Sequence, residues 1–161
     1  MYEGGIRVPG IVCWQGHIAA GQVSDRVTGF EDWFPTLLDL MGQATAIPAD
    51  IDGISFAPTL LGKPQPPRPF LYRESPGYGG QQSIHAGDWK AVRTNLMPRG
   101  KNANPGALEL YNLATDPNET TDVASQHPET AAQLQKLLNE QHRPSEVFPI
   151  TALDSENRPP Q

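Results

Sequence analysis

Residues 83–93, Ser-Ile-His-Ala-Gly-Asp-Trp-Lys-Ala-Val-Arg, decide the fold of the C-terminal part of the chain. The run from Trp89 to Arg93 has the period of two that is typical of a strand with one buried face. The tripeptide Ala86-Gly87-Asp88 is a tight-turn sequence, and Ser83-Ile84-His85 before it forms a second strand-like run. The sequence therefore predicts a β-hairpin within a half-buried antiparallel sheet.

Further elements are predicted on both sides of this hairpin. Residues 70–72 and 108–113 are expected to be strands, and residues 98–105 a polar loop. A helix is predicted to begin on Pro128 and to end before Pro144, since proline favours the first position of a helix and stops its continuation. Its apolar face is narrow, so it should lie on one surface of the sheet, and it comprises Ala131, Leu134, Leu137, Leu138 and Gln141.

The N-terminal part follows another pattern. Residues 10–14 form a continuous apolar run that predicts a strand buried on both faces. Residues 28–42 predict a helix with two possible starts: a capping box from Thr28 to Glu31, or a 3₁₀ turn followed by an α-helix with Pro35 first. The second is preferred because an interior proline costs about 3 kcal/mol. Leu37, Leu38 and Met41 would then form its apolar stripe. The proline-rich residues 63–69 are the best linker candidate.

Composition bounds the class of protein. The chain has 161 residues, of which 17 are proline and 15 glycine, so a helical bundle is excluded and many loops are expected. Its net charge of −6 argues against nucleic-acid or anionic-membrane partners. No apolar run reaches the roughly 18 residues of a membrane-spanning helix, and the N-terminus does not have the pattern of a secretory signal. The one cysteine allows no intrachain disulfide.

Few residues suggest chemistry. Glu3, Gly4, Gly5 and Arg7 could bind an anion or shape a site, because glycine permits close backbone approach. Cys13 is expected to be a buried structural thiol. His85, beside the hairpin turn, is the one histidine with a chance of substrate contact; His127 is assigned to a helix boundary and His142 to a last helical turn. No metal motif or calcium loop is found. Residues 118–120 form an N-glycosylation sequon that matters only in a secreted eukaryotic protein.

In their order, these segments resemble the C-terminal half of arylsulfatase-type enzymes. The resemblance extends from Tyr2 to about Arg143. It departs from the family at Gly10 and at Gln15, where a proline is usual. It rests on Tyr2-Glu3-Gly4-Gly5-Ile6-Arg7-Val8-Pro9, Asp32-x-x-Pro35-Thr36-Leu37-Leu38-Asp39-Leu40-x-Gly42, Asp52-Gly53-Ile54-Ser55, Gly87-Asp88-Trp89-Lys90 and Glu109-Leu110-Tyr111-Asn112-Leu113-x-x-Asp116-Pro117-x-Glu119.

The resemblance implies an α/β fold, of which this chain would supply an α+β piece. Residues 1–66 would be the end of an alkaline-phosphatase-like α/β/α domain. Residues 67–144 would be a small antiparallel sheet with a C-terminal helix, and residues 145–161 an extended tail. Met1 is then interpreted as an internal methionine or the edge of a truncated gene, with the catalytic residues upstream.

Sulfatases hydrolyse sulfate esters with a formylglycine made in a Cys-x-Pro-x-Arg-like motif and a divalent cation, usually Ca²⁺. Neither carries over: the residues after Cys13 lack that proline and arginine, and the chain has no Asp-Asp or Asp-Asn pair. The resemblance therefore assigns no catalytic and no metal-binding residue to this chain and predicts that it is inactive alone. Glu3, Gly4, Gly5 and Arg7 become cleft-shaping candidates that follow an active-site lysine of the family.

Partners and compartment follow from the same resemblance. A sulfate-ester substrate is expected only together with the missing N-terminal half, with no nucleic-acid partner and no membrane span. Complete family members are often periplasmic, secreted or lysosomal, so the compartment stays open. Two alternatives remain: a non-catalytic binding or interaction module, and a fragment of a phosphoesterase of the same superfamily.

Overall fold

The computed structural model describes residues 1–97 and 105–156, and it divides into two compact units. We call Met1–Arg7 together with the described residues from Tyr72 onward the sheet unit, and Val8–Leu71 the loop unit. The predicted division after residue 66 assigns Met1–Arg7 to the N-terminal domain, whereas the contacts of the structure group this segment with the sheet.

The loop unit contains short helical elements joined by irregular chain. Gly42 and Gly62 follow two of the helices with positive φ, as expected of residues that terminate helices. The elements are a 3₁₀ turn at Phe30–Asp32, helix α2 at Trp33–Leu40, a 3₁₀ turn at Ala44–Ala46 and helix α3 at Ala57–Leu60.

Asp32 organises this unit from a buried position. Its carboxylate accepts hydrogen bonds from the backbone N–H groups of Gly29 (2.8 Å) and Ile54 (2.7 Å). The Arg68 guanidinium donates to both oxygens of the same carboxylate at 2.5 and 2.6 Å. Arg68 lies in the predicted proline-rich linker, which is therefore anchored to the start of α2.

The predicted details of α2 need two corrections. Pro35 is its third residue rather than its first, because the preceding 3₁₀ turn ends at Asp32, two residues earlier than expected. The predicted apolar stripe is also wrong: Pro35 and Thr36 are buried, whereas Leu37 and Met41 are 50% and 63% exposed. The buried side is built around the Thr36 hydroxyl, which donates to the Asp32 carbonyl oxygen and accepts from Phe56 N–H.

The strand predicted at residues 10–14 is not formed. The segment has no regular structure, and Ile11 is 91% exposed. Cys13 is exposed as well, so its assignment as a buried thiol is wrong. An apolar run becomes a strand only where a neighbouring strand pairs with it, and the described part of the chain offers this segment none.

The sheet unit is built on four strands in the order β1-β2-β3-β4. The predicted hairpin is confirmed: β2 and β3 pair antiparallel from Gln82↔Arg93 to Ala86↔Trp89, and Gly87 in the turn has a φ of 59°. Strands β3 and β4 also pair antiparallel. The strands are β1 at Leu71–Ser75, β2 at Gln81–Ala86, β3 at Trp89–Arg93 and β4 at Glu109–Asn112.

Both faces of the central strands are covered. Helix α4 (Pro128–Gln141), confirmed as predicted, packs Leu134 and Leu138 inward, and Gln82 on β2 donates to the Leu138 carbonyl oxygen at 3.1 Å. The segment Met1–Glu3 contacts the residues that alternate to the other face. The prediction that this strand has only one buried face is therefore wrong for β3, in which Lys90 to Arg93 are all buried.

The end of the described chain is partly helical. Helix α5 at Thr151–Glu156 lies within residues 145–161, so the extended conformation expected there is wrong for these six residues. Ile150 and Leu153 are each 1% exposed and pack with Leu96 in a small core, which stabilises this helical turn. The predicted polar loop at residues 98–105 falls, except for Pro105, outside the described residues, as does the part of the predicted extended tail beyond residue 156.

Candidate functional site

The candidate segment Glu3–Arg7 forms one helical turn on the surface of the sheet unit. Helix α1 spans Glu3–Ile6, and the Arg7 N–H donates to the Glu3 carbonyl oxygen at 2.8 Å. Gly4, Gly5 and Arg7 are exposed. A side chain added at either glycine would meet nothing within 4 Å. The space beside the turn is therefore open. A residue with a side chain would fit at either position without a clash in the described structure.

Glu3 differs from its neighbours because its side chain points into the sheet unit. Its carboxylate lies 2.8 Å from the Lys90 ammonium, whose side chain is 1% exposed. A second carboxylate, that of Glu119, lies 2.9 Å from the same ammonium. The other oxygen of Glu119 accepts the backbone N–H of Glu3. Lys90 is thus a buried cation held between two acidic groups, which is the arrangement that makes a buried charge tolerable.

Tyr2 forms a second attachment of the same segment. The hydroxyls of Tyr2 and Tyr111 both donate to one oxygen of Glu109, and their rings meet edge to face at 6.1 Å. Burial, followed by the hydrogen bond to the Glu109 carboxylate, raises the pKa of Tyr2 to about 12. The same two causes raise the pKa of Tyr111 above its ordinary value. Both hydroxyls therefore remain protonated donors at neutral pH.

His85 lies on β2 in the register position opposite Lys90. Its Nε2 lies 2.9 Å from the Gly87 carbonyl oxygen, so an Nε2–H there donates to the hairpin turn. This contact explains a histidine beside the turn without a ligand. Its substrate contact stays a prediction.

The described residues do not fit the family's cofactors. Within residues 1–97 and 105–156 no three His, Cys, Asp or Glu side chains are grouped as metal ligands. Cys13 is an exposed free thiol without the flanking residues of a formylglycine motif. We therefore derive no catalytic step through a metal ion or a formylglycine in this chain. The same ranges contain no helix with the length and apolarity needed to span a bilayer.

The sequence did not indicate that His142 is buried between two acidic side chains. His142 follows α4 as its C-terminal cap and is 3% exposed, with Nδ1 2.8 Å from a Glu74 oxygen and Nε2 3.0 Å from an Asp154 oxygen. Both nitrogens donate to these carboxylates together only when the ring is protonated. His142 thus connects β1 to α5. Sequence placed it correctly at the helix end, but no spacing indicated two acidic partners 68 and 12 residues away.

Comparison with known proteins places these features in a family. The chain is 32% identical to human arylsulfatase D over 161 residues, covering 96% of this chain and 25% of that protein. It is 30% identical to human N-acetylgalactosamine-6-sulfatase over 159 residues, covering 96% of this chain and 28% of that protein. The chain therefore spans about a quarter of the length of these curated relatives.

A solved structure agrees with the sequence comparison. The structure of a 2-O GAG sulfatase superposes with a TM-score of 0.54 and 29% identity, covering 68% of this chain and 23% of that one. These relatives thus define the class as sulfatases, whose structures have the alkaline-phosphatase-like fold. Residues 1–144 match one family model of this class, and the chain belongs to that family, N-sulphoglucosamine sulphohydrolase, C-terminal.

The family and fold predicted from the sequence are thereby confirmed. Homologous sulfatases use a metal ion and a formylglycine, and nothing in the described residues assigns either to this chain. The roles of Glu3, Gly4, Gly5 and Arg7 in a cleft stay predictions.

Proposed function

We propose that this chain is the C-terminal, scaffold part of a sulfatase that hydrolyses sulfate esters when its catalytic part is present. The family match over residues 1–144 carries this proposal. The chain itself would contribute the Glu3–Arg7 turn, which borders the substrate cleft. Arg7 would act there by orienting neighbouring groups rather than by contacting the sulfate.

The surface of the turn supports such a role. Tyr2 and Glu3 are fastened to the sheet, whereas the next residues are exposed, and Gly4 and Gly5 leave their surroundings open. Because Tyr2 and Glu3 are fastened to the sheet and the Arg7 N–H is bonded to the Glu3 carbonyl oxygen, the backbone of Arg7 has a defined place, as a residue that orients its neighbours requires.

The first test is an assay of the purified chain with an aryl sulfate, with and without Ca²⁺. We expect no turnover, because the described residues hold neither a metal-ligand cluster nor a formylglycine motif. Ca²⁺-dependent hydrolysis would overturn the assignment of the catalytic groups to another part of the enzyme. A supporting observation would be an in-frame Cys-x-Pro-x-Arg sequence in the DNA upstream.

The second test restores a catalytic part. The chain would be fused behind the N-terminal part of human N-acetylgalactosamine-6-sulfatase. A second fusion, in which the cysteine of the formylglycine motif is changed to alanine, is the inactive control. We expect hydrolysis of a sulfated sugar or an aryl sulfate that the control lacks. A folded fusion that cleaves an aryl phosphate and no sulfate ester would favour the phosphoesterase alternative.

The names of the relatives suggest the first substrates to assay. One relative is an N-acetylgalactosamine-6-sulfatase, and one solved structure is a 2-O GAG sulfatase. Sulfated sugars of glycosaminoglycan type should therefore accompany aryl sulfates in the fusion assay. A preference for an aryl sulfate over every sulfated sugar would argue against a glycan substrate.

A further inference from the structure

The buried ammonium of Lys90 joins the proposed cleft segment to the sheet. Lys90 lies in the middle of the sheet on β3, paired with His85 on β2 and with Tyr111 on β4. Its side chain is 1% exposed and reaches Glu3 on the segment that covers this face. A surface lysine would leave the segment free to move, whereas a buried one must keep its acidic partners close.

Glu119 reaches this position through an unusual backbone. Its φ of 55° lies in the left-handed region, which costs about 1 kcal/mol or more for a residue with a side chain. Asp116 holds the turn by accepting the backbone N–H groups of Thr120 (2.8 Å) and Thr121 (2.9 Å). The result is a Glu119 side chain that is 1% exposed beside Lys90. Such strain persists only where the surroundings compensate for it.

Glu119 contacts both the lysine and the segment. One of its oxygens is paired with Lys90 and the other accepts the Glu3 N–H, the first amide of α1. An acidic group on the first N–H of a helical turn satisfies a donor that has no partner inside the helix. Glu3 is therefore held at two points, by its side chain on Lys90 and by its backbone on Glu119.

We propose that Lys90 and Glu119 are positioning residues that set the backbone of the Glu3–Ile6 turn and thereby the place of Gly4, Gly5 and Arg7. Lys90 fixes the Glu3 side chain and Glu119 fixes the Glu3 amide, so the sheet determines the conformation of a turn whose other residues are exposed. The place of that turn in a sulfate-ester cleft depends on the proposed function. The positioning itself is a property of this chain.

The test is amide hydrogen exchange of the full 161-residue chain, resolved by residue. In Lys90→Met, we expect the amides of Glu3, Gly5 and Arg7 to exchange about tenfold faster or more, because hydrogen bonds to charged groups contribute about 1.5–3 kcal/mol. Amides of the β2–β3 hairpin should accelerate less than those of the turn, because the hairpin keeps its own backbone pairing. Lys136→Met is the matched control, since the Lys136 side chain is 78% exposed on α4.

Glu119→Gln provides a second variant in case Lys90→Met does not fold. It preserves the shape and one acceptor oxygen but removes the charge, so exchange at Glu3 should accelerate and its amide resonance should shift, while the hairpin remains protected. Unchanged exchange at Glu3 to Arg7 would overturn the proposal. Equal acceleration of turn and hairpin amides in Glu119→Gln would also overturn it, because the pair would then only stabilise the sheet.

Neither arm measures catalysis. A chain that passes this test and yields an inactive fusion would retain the positioning role and lose the proposed function. An active fusion, together with a turn that neither substitution affects, would support the proposed function and overturn the positioning role.

Discussion

The two units of the molecule treat their apolar side chains in opposite ways. In the sheet unit, Ile84, Ala91, Leu110 and Leu138 are all 0% exposed. In the loop unit, Phe30 and Ile11 are 88% and 91% exposed, and the buried positions of α2 are a proline and a threonine. Covering both faces of a sheet completes a core, whereas short helices without such a layer leave apolar surface exposed.

The comparison shows which contacts each unit depends on for its stability. Polar contacts around Asp32 hold the loop unit together, beside a small apolar contact in which the rings of Trp33 and Phe56 meet edge to face at 5.0 Å. The sheet unit uses its buried charges inside a completed core. Four predictions test this difference between the two units.

The largest effect is expected at Arg68. Arg68→Met leaves the buried Asp32 carboxylate without its cation, and removal of one partner of a buried pair costs about 3–5 kcal/mol. Amide exchange at Gly29 and Ile54, the two backbone donors to Asp32, should accelerate strongly, while the hairpin of the sheet unit remains protected. Arg26→Met is the control, since its half-buried side chain donates to a backbone oxygen, that of Pro66, at 2.7 Å. Equal effects of the two substitutions would disprove the role of Asp32.

A leucine pair tests the two environments directly. Leu138→Ala should lower the free energy of unfolding of the sheet unit by about 2–5 kcal/mol, because the removed methyl groups leave a cavity. Leu37 lies in the loop unit, and its side chain is 50% exposed. Leu37→Ala should therefore change the free energy of unfolding of the loop unit by no more than about 0.5 kcal/mol. Denaturant titration measures both. A large effect of Leu37→Ala would mean that α2 has a core of its own.

A glycine pair tests backbone crowding in the loop unit. An added Cβ at Gly53 would lie 2.2 Å from the Glu31 carbonyl oxygen, so Gly53→Ala should cost about 1–3 kcal/mol. Gly10→Ala meets nothing within 4 Å and should be close to neutral. The thermal midpoints of the two variants should differ in that order. The reverse order would show that the segment after α2 does not pack against Glu31.

The smallest effect concerns the pH dependence of the sheet unit. The raised pKa of Tyr2, about 12, means that the folded chain binds the hydroxyl proton more tightly than the unfolded chain, in which tyrosine ionises near 10. Its contribution to stability is present below about pH 10 and is lost as the pH rises through about 12. Ultraviolet titration should show a tyrosine that ionises near pH 12 in wild type and is missing in Tyr2→Phe, while tyrosines with still higher pKa values remain. Tyr78→Phe, at a side chain 97% exposed, serves as the control.

Much of the sheet unit was readable from local sequence. Alternation and the Gly87 turn predicted the hairpin, and Pro128 and Pro144 predicted the start of α4 and a limit to its end, which the structure places at Gln141. These are signals between near neighbours, since a turn needs only a few residues and a helix repeats every 3.6. The ordered series of short segments likewise indicated the family, which the matches confirm.

The candidate site was only partly readable. Sequence singled out Glu3, but its partners lie 87 and 116 residues away, and neither Lys90 nor Glu119 belongs to a motif with such a spacing. Glu119 is the middle residue of the sequon that begins at Asn118, and the sequon pattern assigns no role to that position. Distant pairs of this kind leave no periodicity, so pattern analysis could not join them.

Lys90 shows the division most clearly. Alternation by itself determined that β3 is a strand and that Lys90 and Ala91 point to opposite faces, because successive side chains of a strand must do so. A strand with one buried face leaves its other face to solvent, and it is there that a lysine is usually found. Only the tertiary structure decided that Met1–Glu3 covers that face and that two carboxylates meet the ammonium there. The reason is physical: a strand's pleat is a local property, whereas the burial of each face depends on which distant segment packs against it.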